Sequence, residues 1–327
     1  MRAVRFSYLL CFMVLFGFIG SAESYAASYS GAKKVSYHGK KFYAKKKSLR
    51  RGLRKAYYAP AIPDETSDGK PNLHSASAIV LDQINGTELF GKNTDNLQPI
   101  ASITKLMTAM IVLDSKQDMD EALTVTSDDI DVVKSSHSNL PVGSVLKRTD
   151  MLRLALMSSE NRAANALARN YPEGKAGFVA KMNERAQLLK MERTRFTDST
   201  GLMSDNVSTV KDLARLVDAA HRYDLIREYT TTPAVQLTFP ETGLSRGFIN
   251  TNRLINNSEW QIGLSKTGFI KEAGQCLVMQ ARINGKPMLI VLLDSWGKLS
   301  RVGDATRIKK WIESRRYDLA MATSDKG

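Results

Sequence analysis

A serine three residues before a lysine can act as a nucleophile with its own base, provided that both lie on one helix face. The chain offers this S-x-x-K spacing six times, starting at Ser30, Ser67, Ser102, Ser144, Ser208 and Ser295. Spacing alone therefore selects nothing, and setting selects Ser102. It follows Pro99-Ile100-Ala101 and opens a stretch free of Gly and Pro, in which Leu106, Met107, Met110, Ile111, Val112 and Leu113 are apolar. The pattern predicts a buried helix over 102–113. At its first turn the hydroxyl would lie among unsatisfied backbone N–H groups that can hold an oxyanion. Lys105 falls one turn on, beside Leu106 and Met107. A lysine there must be paired or desolvated, and desolvation draws its pKa towards ~7–8, where it can accept the serine proton. Taken alone, the two residues fit a helix N-cap and a snorkelling surface lysine equally well.

Two further patterns follow in order. Ser159-Glu160-Asn161 falls between two helical runs, where a hydroxyl and an amide can be pushed towards a cleft. The hydroxyl could relay a proton and the amide grip a carbonyl, although a plain helix cap explains Ser159 as well. S-x-N also occurs at Ser204, whereas Lys266-Thr267-Gly268 is the single K-T-G. The latter ends an expected strand over 261–268, where Gly268 permits close backbone approach and Lys266 and Thr267 can bind a carboxylate. An ordinary strand end is the alternative.

The elements that must position these residues can be read from periodicity. Ser75–Asp82 reads as a strand, Asn85-Gly86 as a hairpin turn, and Thr87–Phe90 as its return. Residues 119–235 read mainly as helices: Met151–Met157 capped by Thr149-Asp150, then Asn161–Arg169, Lys175–Leu189 and Val210–Tyr223. Cys276–Ile283 and Met288–Leu293 flank Asn284-Gly285 as a second hairpin, and Arg301–Arg315 spaces Ile308, Trp311 and Ile312 as an amphipathic helix. Strands at both ends and helices between them predict an α+β fold: an antiparallel sheet flanked by helices, with an inserted all-helical lobe.

The three patterns in this order resemble the penicillin-binding-protein and serine β-lactamase superfamily. Pro99–Ala109, Leu89-Phe90 and Thr200-Gly201-Leu202 are similar to the low-molecular-mass D-alanyl-D-alanine peptidases, and Ser265–Cys276 to their endopeptidase branch. The resemblance spans about residues 70–315. It implies a β-lactamase/DD-peptidase-like fold and a peptidoglycan substrate. It makes Ser102 the acylated nucleophile, Lys105 its base, and Ser159 and Asn161 the rest of the proton network and substrate grip. Lys266 and Thr267 would take the substrate carboxylate beside Gly268. The N–H groups of Ser102 and Phe269 would form the oxyanion hole, each such donor being worth ~10²–10³ in rate. The E-x-x-L-N signature that supplies a deacylating Glu in class A β-lactamases is missing, so β-lactams should inhibit rather than be hydrolysed. No extra β-rich domain or amphipathic anchor is expected after the last helix, which suggests a soluble or loosely membrane-associated enzyme. Endopeptidase action on cross-links is the favoured expectation. Carboxypeptidase trimming of terminal D-Ala and a catalytically dead wall-binding protein are the alternatives.

The N-terminus bears on location. Arg2 and Arg5 precede an apolar run over 8–19, and Ser24-Tyr25-Ala26 fits a cleavage site. The run is shorter than the roughly 20 residues of a spanning helix, so a cleaved signal peptide over 1–26 and a periplasmic enzyme are expected. Of the net charge of +14, eleven Lys or Arg fall between Gly31 and Pro60 with no acid among them. That segment reads as a basic, disordered arm over 27–59. Its partners would be anionic wall polymers or a membrane surface, unless it is a solubilising spacer; export speaks against nucleic acid. A catalytic domain over 60–317 and a tail over 318–327 complete the expected organisation. Of Cys11 and Cys276 only the latter survives cleavage, in an apolar strand where packing is the simpler role. His38, His74, His137 and His221 lack metal-ligand spacing, so neither metal nor cofactor is expected.

Overall fold

The computed structural model describes residues 62–239 and 242–324, with side chains to residue 314. The expected signal peptide and basic arm lie outside the described residues. Among the described residues, eleven strands and seven α-helices follow in order. They are β1 (Ser75–Asp82), β2 (Glu88–Lys92), β3 (Gln98–Pro99), α1 (Lys105–Asp114), β4 (Ala122–Thr124), β5 (Val145–Lys147), α2 (Arg148–Met157), α3 (Asn161–Arg169) and α4 (Gly174–Leu188). Then come β6 (Val207–Ser208), α5 (Val210–Ala220), α6 (Asp224–Thr231), β7 (Ala234–Thr238), β8 (Ser245–Ile249), β9 (Gln261–Ile270), β10 (Gly274–Ile283), β11 (Lys286–Ser295) and α7 (Ser300–Ser324).

The main sheet is antiparallel in the order β2-β1-β11-β10-β9, so strands from both ends of the folded region close one sheet. Its alternating residues feed two cores. Ala78, Val80, Leu277, Met279, Ile290 and Leu292 pack under Ile308, Trp311 and Ile312 of α7. Ile79, Cys276, Val278, Leu289, Val291 and Leu293 face the helical lobe. Because β10 and β11 are covered on both sides, they read as continuous apolar runs rather than alternating ones. Helix α1 is buried along its length from Lys105 to Val112, which is why its sequence shows no polar face. β9 is an edge strand of this sheet.

The expected fold class holds, with local corrections. Asn284-Gly285 forms the tight hairpin turn, with φ of 52° and 75°. Asn85-Gly86 does not: the return strand starts at Glu88, and the Asp82 and Asn85 side chains take the N–H groups of Ile84 and Thr87 in a wider loop. Thr149 and Asp150 lie inside α2, and the Thr149 hydroxyl pairs with Tyr229 instead of capping. The helical stretch expected to end at Tyr223 breaks after Ala220, and α6 follows. The β4–β5 and β7–β8 hairpins replace helix or loop expectations; β7 and β8 are mostly exposed, so no core pattern marked them. Helix α7 continues to Ser324, past the expected end at Arg315. Among the described residues no helix is long and apolar enough to cross a membrane.

Candidate active site

Ser102 lies in a 3₁₀ turn, Ala101–Thr104, that leads directly into α1. The turn is locked from below. Ala101 has φ of 49°, and a Cβ on Gly201 would lie 1.8 Å from the Ala101 carbonyl oxygen, so only glycine fits there. The Thr200-Gly201 loop is itself tied down. Asp198 accepts the N–H groups of Thr200 and Gly201 at 2.5 Å and that of Met203 at 2.7 Å. The Asn206 amide joins Asp198 O to the Thr104 hydroxyl at 3.0 Å each. This scaffold delivers the Thr200 carbonyl to within 2.7 Å of Lys105 Nζ.

Lys105 has no exposed surface. Its Nζ donates to Ser102 Oγ at 2.9 Å, to Asn161 Oδ1 at 2.8 Å and to Thr200 O. Among the described residues no carboxylate bonds to it. Burial brings its pKa down to about 7, against the opposing pull of Asp198, Glu160 and Asp131. In its uncharged form the amine turns a lone pair towards the Ser102 hydroxyl.

Ser159 occupies the gap between α2 and α3 with φ of 62°, a left-handed conformation that a non-glycine residue adopts only when its surroundings hold it. Its neighbour supplies the hold: the buried Glu160 carboxylate accepts Ser138 Oγ at 2.6 Å and the Asn139 N–H at 3.0 Å. Asn161, the first residue of α3, accepts from Lys105 and donates to Ser136 Oγ at 2.8 Å.

Strand β9 forms the opposite wall. Lys266 is 1% exposed; its Nζ donates to Ser159 Oγ at 2.9 Å and to the Thr267 carbonyl at 3.0 Å. Burial, then the positive charges of Lys105 and Arg301, push its pKa well below the ordinary lysine value. Thr267 shares a 2.7 Å hydroxyl–hydroxyl contact with Thr251. A Cβ on Gly268 would meet Ile100 O at 3.0 Å and Ser102 N at 3.2 Å, so the missing side chain lets the strand lie against the serine turn. Arg301 of α7 donates to the carbonyls of Gly268 at 2.9 Å and Cys276 at 3.2 Å, fixing the strand from behind. Cys276 is wholly buried, and burial pushes its thiol up to about 12. β9 does not end at Gly268, as its sequence suggested, but runs on to Ile270.

The expected site residues thus converge as two hydrogen-bonded chains: Ser102–Lys105–Asn161 on the helical side, and Ser159–Lys266–Thr267, which joins the α2–α3 gap to β9. Three contributors had no sequence signal, Ser136, Thr251 and Arg301; the Thr200 carbonyl was marked only through the Thr200-Gly201-Leu202 segment. Chemically, the site offers a serine hydroxyl beside an amine that can be uncharged at neutral pH. A second buried amine opposite could pair with an anion.

A family model described as D-alanyl-D-alanine carboxypeptidase matches residues 64–296. The D-alanyl-D-alanine endopeptidase of Pseudomonas aeruginosa is 50% identical over 242 residues, 74% of this chain and 78% of that one. That of Escherichia coli is 43% identical over 249 residues, 76% and 80% of the two chains. Among solved structures, penicillin-binding protein D2 from Listeria monocytogenes in its cefotaxime-bound form superposes with a TM-score of 0.65 at 29% identity, covering 74% of this chain and 99% of that one. Sequence, fold and the facing lysine walls agree, and the chain belongs to the D-alanyl-D-alanine carboxypeptidase family.

Proposed function

We propose that the protein is a serine D-alanyl-D-alanine endopeptidase that cleaves peptidoglycan cross-links through an acyl-enzyme on Ser102. The observation that carries this reading is Lys105: fully buried, with a pKa near 7 and its Nζ 2.9 Å from Ser102 Oγ. Lys105 takes the hydroxyl proton as Ser102 Oγ attacks the D-Ala carbonyl carbon. The N–H groups of Ser102 and Phe269 hold the oxyanion. Collapse breaks the amide bond, and the network of Lys105, Ser159 and Asn161 returns the proton to the leaving amine. Lys266 and Thr267 hold that amine's neighbouring carboxylate. Water then attacks the ester and restores the serine. The endopeptidase assignment draws on the names of the two relatives above.

A β-lactam enters the same path, but its leaving amine stays tethered, and no deacylating Glu of the class A kind stands by; inhibition follows. The expected signal peptide over 1–26 and action in the periplasm belong to this reading, as do the domain limits 60–317 and an anionic partner for the basic arm over 27–59. Purified cross-linked muropeptide dimers, incubated beside pentapeptide monomers, test the specificity. Dimers should fall to monomers; loss of D-Ala from the monomer alone would make the protein a carboxypeptidase. Intact mass after penicillin treatment tests the chemistry: the wild type gains one adduct and Ser102→Ala none.

A further inference from the structure

The function proposed above, on which this step rests, requires Lys105 to point a lone pair at Ser102. An uncharged amine has two N–H donors and one lone pair. Three oxygens surround Lys105 Nζ: Ser102 Oγ, Asn161 Oδ1 and Thr200 O. The two carbonyl oxygens can only accept, so they take both N–H groups and leave the lone pair to the serine hydroxyl. This depends on which way round the Asn161 amide lies. Turned end for end, it would present its NH2 to Lys105 and occupy the lone pair that Ser102 needs.

The orientation of Asn161 is set from its far end. Its Nδ2 donates to Ser136 Oγ at 2.8 Å. A hydroxyl can face either way, but that of Ser136 also bonds to Asp131. The Asp131 carboxylate accepts the N–H groups of Ser136 at 2.7 Å and of Val133 and Lys134 at 2.9 Å each. Burial works against its charge, yet these bonds outweigh burial and hold its pKa below the ordinary value. An ionised carboxylate only accepts. The Ser136 proton therefore lies towards Asp131, and its lone pair towards Asn161. One direction runs unbroken from Asp131 through Ser136, Asn161 and Lys105 to Ser102.

The loop that carries Asp131 and Ser136 is braced on two sides. Glu160 holds Ser138 and Asn139 from the helical side. The Lys134 ammonium crosses to the sheet, where it pairs at 2.5 Å with Glu272 in the turn between β9 and β10. We infer that Asp131 and Ser136 are positioning residues for acylation: acting through Asn161, they fix the sense of the hydrogen-bond chain and so free the Lys105 lone pair for Ser102. Neither belongs to the S-x-x-K, S-x-N or K-T-G patterns.

Reversing the chain tests this. In Asp131→Asn the new NH2 group is best tolerated beside Ser136, where one backbone N–H faces it rather than two and the hydroxyl can turn to accept it. Ser136 must then donate to Asn161, whose amide turns over and fills the Lys105 lone pair. Acylation by penicillin, followed by intact mass, should slow about 10²-fold. Ser136→Ala breaks the chain without reversing it and should cost only about fivefold. The double variant Asp131→Asn/Ser136→Ala lacks the hydroxyl that passes the reversal on. It should acylate about tenfold faster than Asp131→Asn alone. For cross-linked dimers kcat should follow the same order, with KM changed by less than about twofold.

A double variant no faster than Asp131→Asn overturns the assignment, because a merely disturbed loop would slow both alike. Wild-type rates in Asp131→Asn overturn it too. If Asp131→Asn does not fold, Ser136→Thr and Ser136→Val take its place, since they match in shape and differ in the hydroxyl. Ser136→Thr should acylate about fivefold faster than Ser136→Val, and equal rates would again overturn the assignment. A wild type that penicillin does not acylate removes the Ser102 mechanism itself, so the two failures are distinguishable.

Discussion

The two walls of the cleft each bury a lysine, and the two are treated differently. Lys105 has three oxygen acceptors and feels Asp198, Glu160 and Asp131, which hold its pKa at about 7 despite complete burial. Lys266 has one hydroxyl and the neighbouring carbonyl, and its charged neighbours, Lys105 and Arg301, are cations. Burial disfavours the ammonium form in both; the surroundings moderate that effect in one and deepen it in the other. Lys105 is therefore poised to exchange a proton at neutral pH. Lys266 has no such moderating carboxylates: burial and two neighbouring cations disfavour its ammonium form, and an arriving anion would offset both. On the proposed mechanism the same residue type serves as base on one wall and as anion receptor on the other.

Making the first wall permanently charged should break this contrast most severely. Lys105→Arg cannot give up its proton, and penicillin acylation is expected to fall about 10³-fold or more. In the wild type the acylation rate should decline as pH drops below about 7, as Lys105 becomes protonated; an unchanged acid limb in Lys105→Arg would deny Lys105 the role of base. On the opposite wall, Lys266→Met should lower kcat/KM for a substrate with a free terminal carboxylate by about 10²-fold. The corresponding methyl ester or amide should lose far less. Equal losses on both would remove Lys266 from carboxylate recognition.

The smallest effect is on stability. A lysine whose pKa is lower in the fold than in the unfolded chain destabilises the fold fully at pH below its folded pKa, here about 7, where the buried amine is charged. The penalty shrinks as pH climbs from about 7 towards the ordinary 10.5, because the unfolded chain binds the extra proton throughout that window. Lys105→Met removes this dependence. The melting temperature of the variant minus that of the wild type should accordingly fall by about 3 °C or more between pH 7 and pH 10. A difference constant with pH would mean that Lys105 is charged in the resting fold.

How much of this was legible in the sequence differs by wall. Ser102, Lys105, Ser159, Asn161, Lys266 and Thr267 announced themselves through side chains in a fixed order, and the structure brings all six to one cleft. The Thr200 carbonyl could not, because a backbone oxygen has no residue type; only Gly201, which must be glycine for Ala101 to pass, left a trace. Ser136 and Thr251 are common residues on irregular segments. Arg301 looked like part of an amphipathic helix, and its turn towards Gly268 O is a tertiary event. The strands β10 and β11 were readable because burial on both faces leaves a continuous apolar record. The β7–β8 hairpin buries little and so wrote little.

Cys276 turns the oxyanion strand into something that can be timed. It pairs with Gly268 across β10 and β9, directly behind the serine turn. A thiol with no exposed surface and a pKa near 12 is silent to alkylating reagents until the sheet edge opens. In a chain lacking residues 1–26, and so Cys11, the rate of alkylation becomes a clock for the opening of β9. Acylation of Ser102 by penicillin should slow that clock several-fold, because a ligand bound along the edge must leave or move before the strand can. Mass spectrometry of the alkylated protein with and without penicillin reads the interval directly; identical rates would mean that the edge opens without disturbing the acyl group.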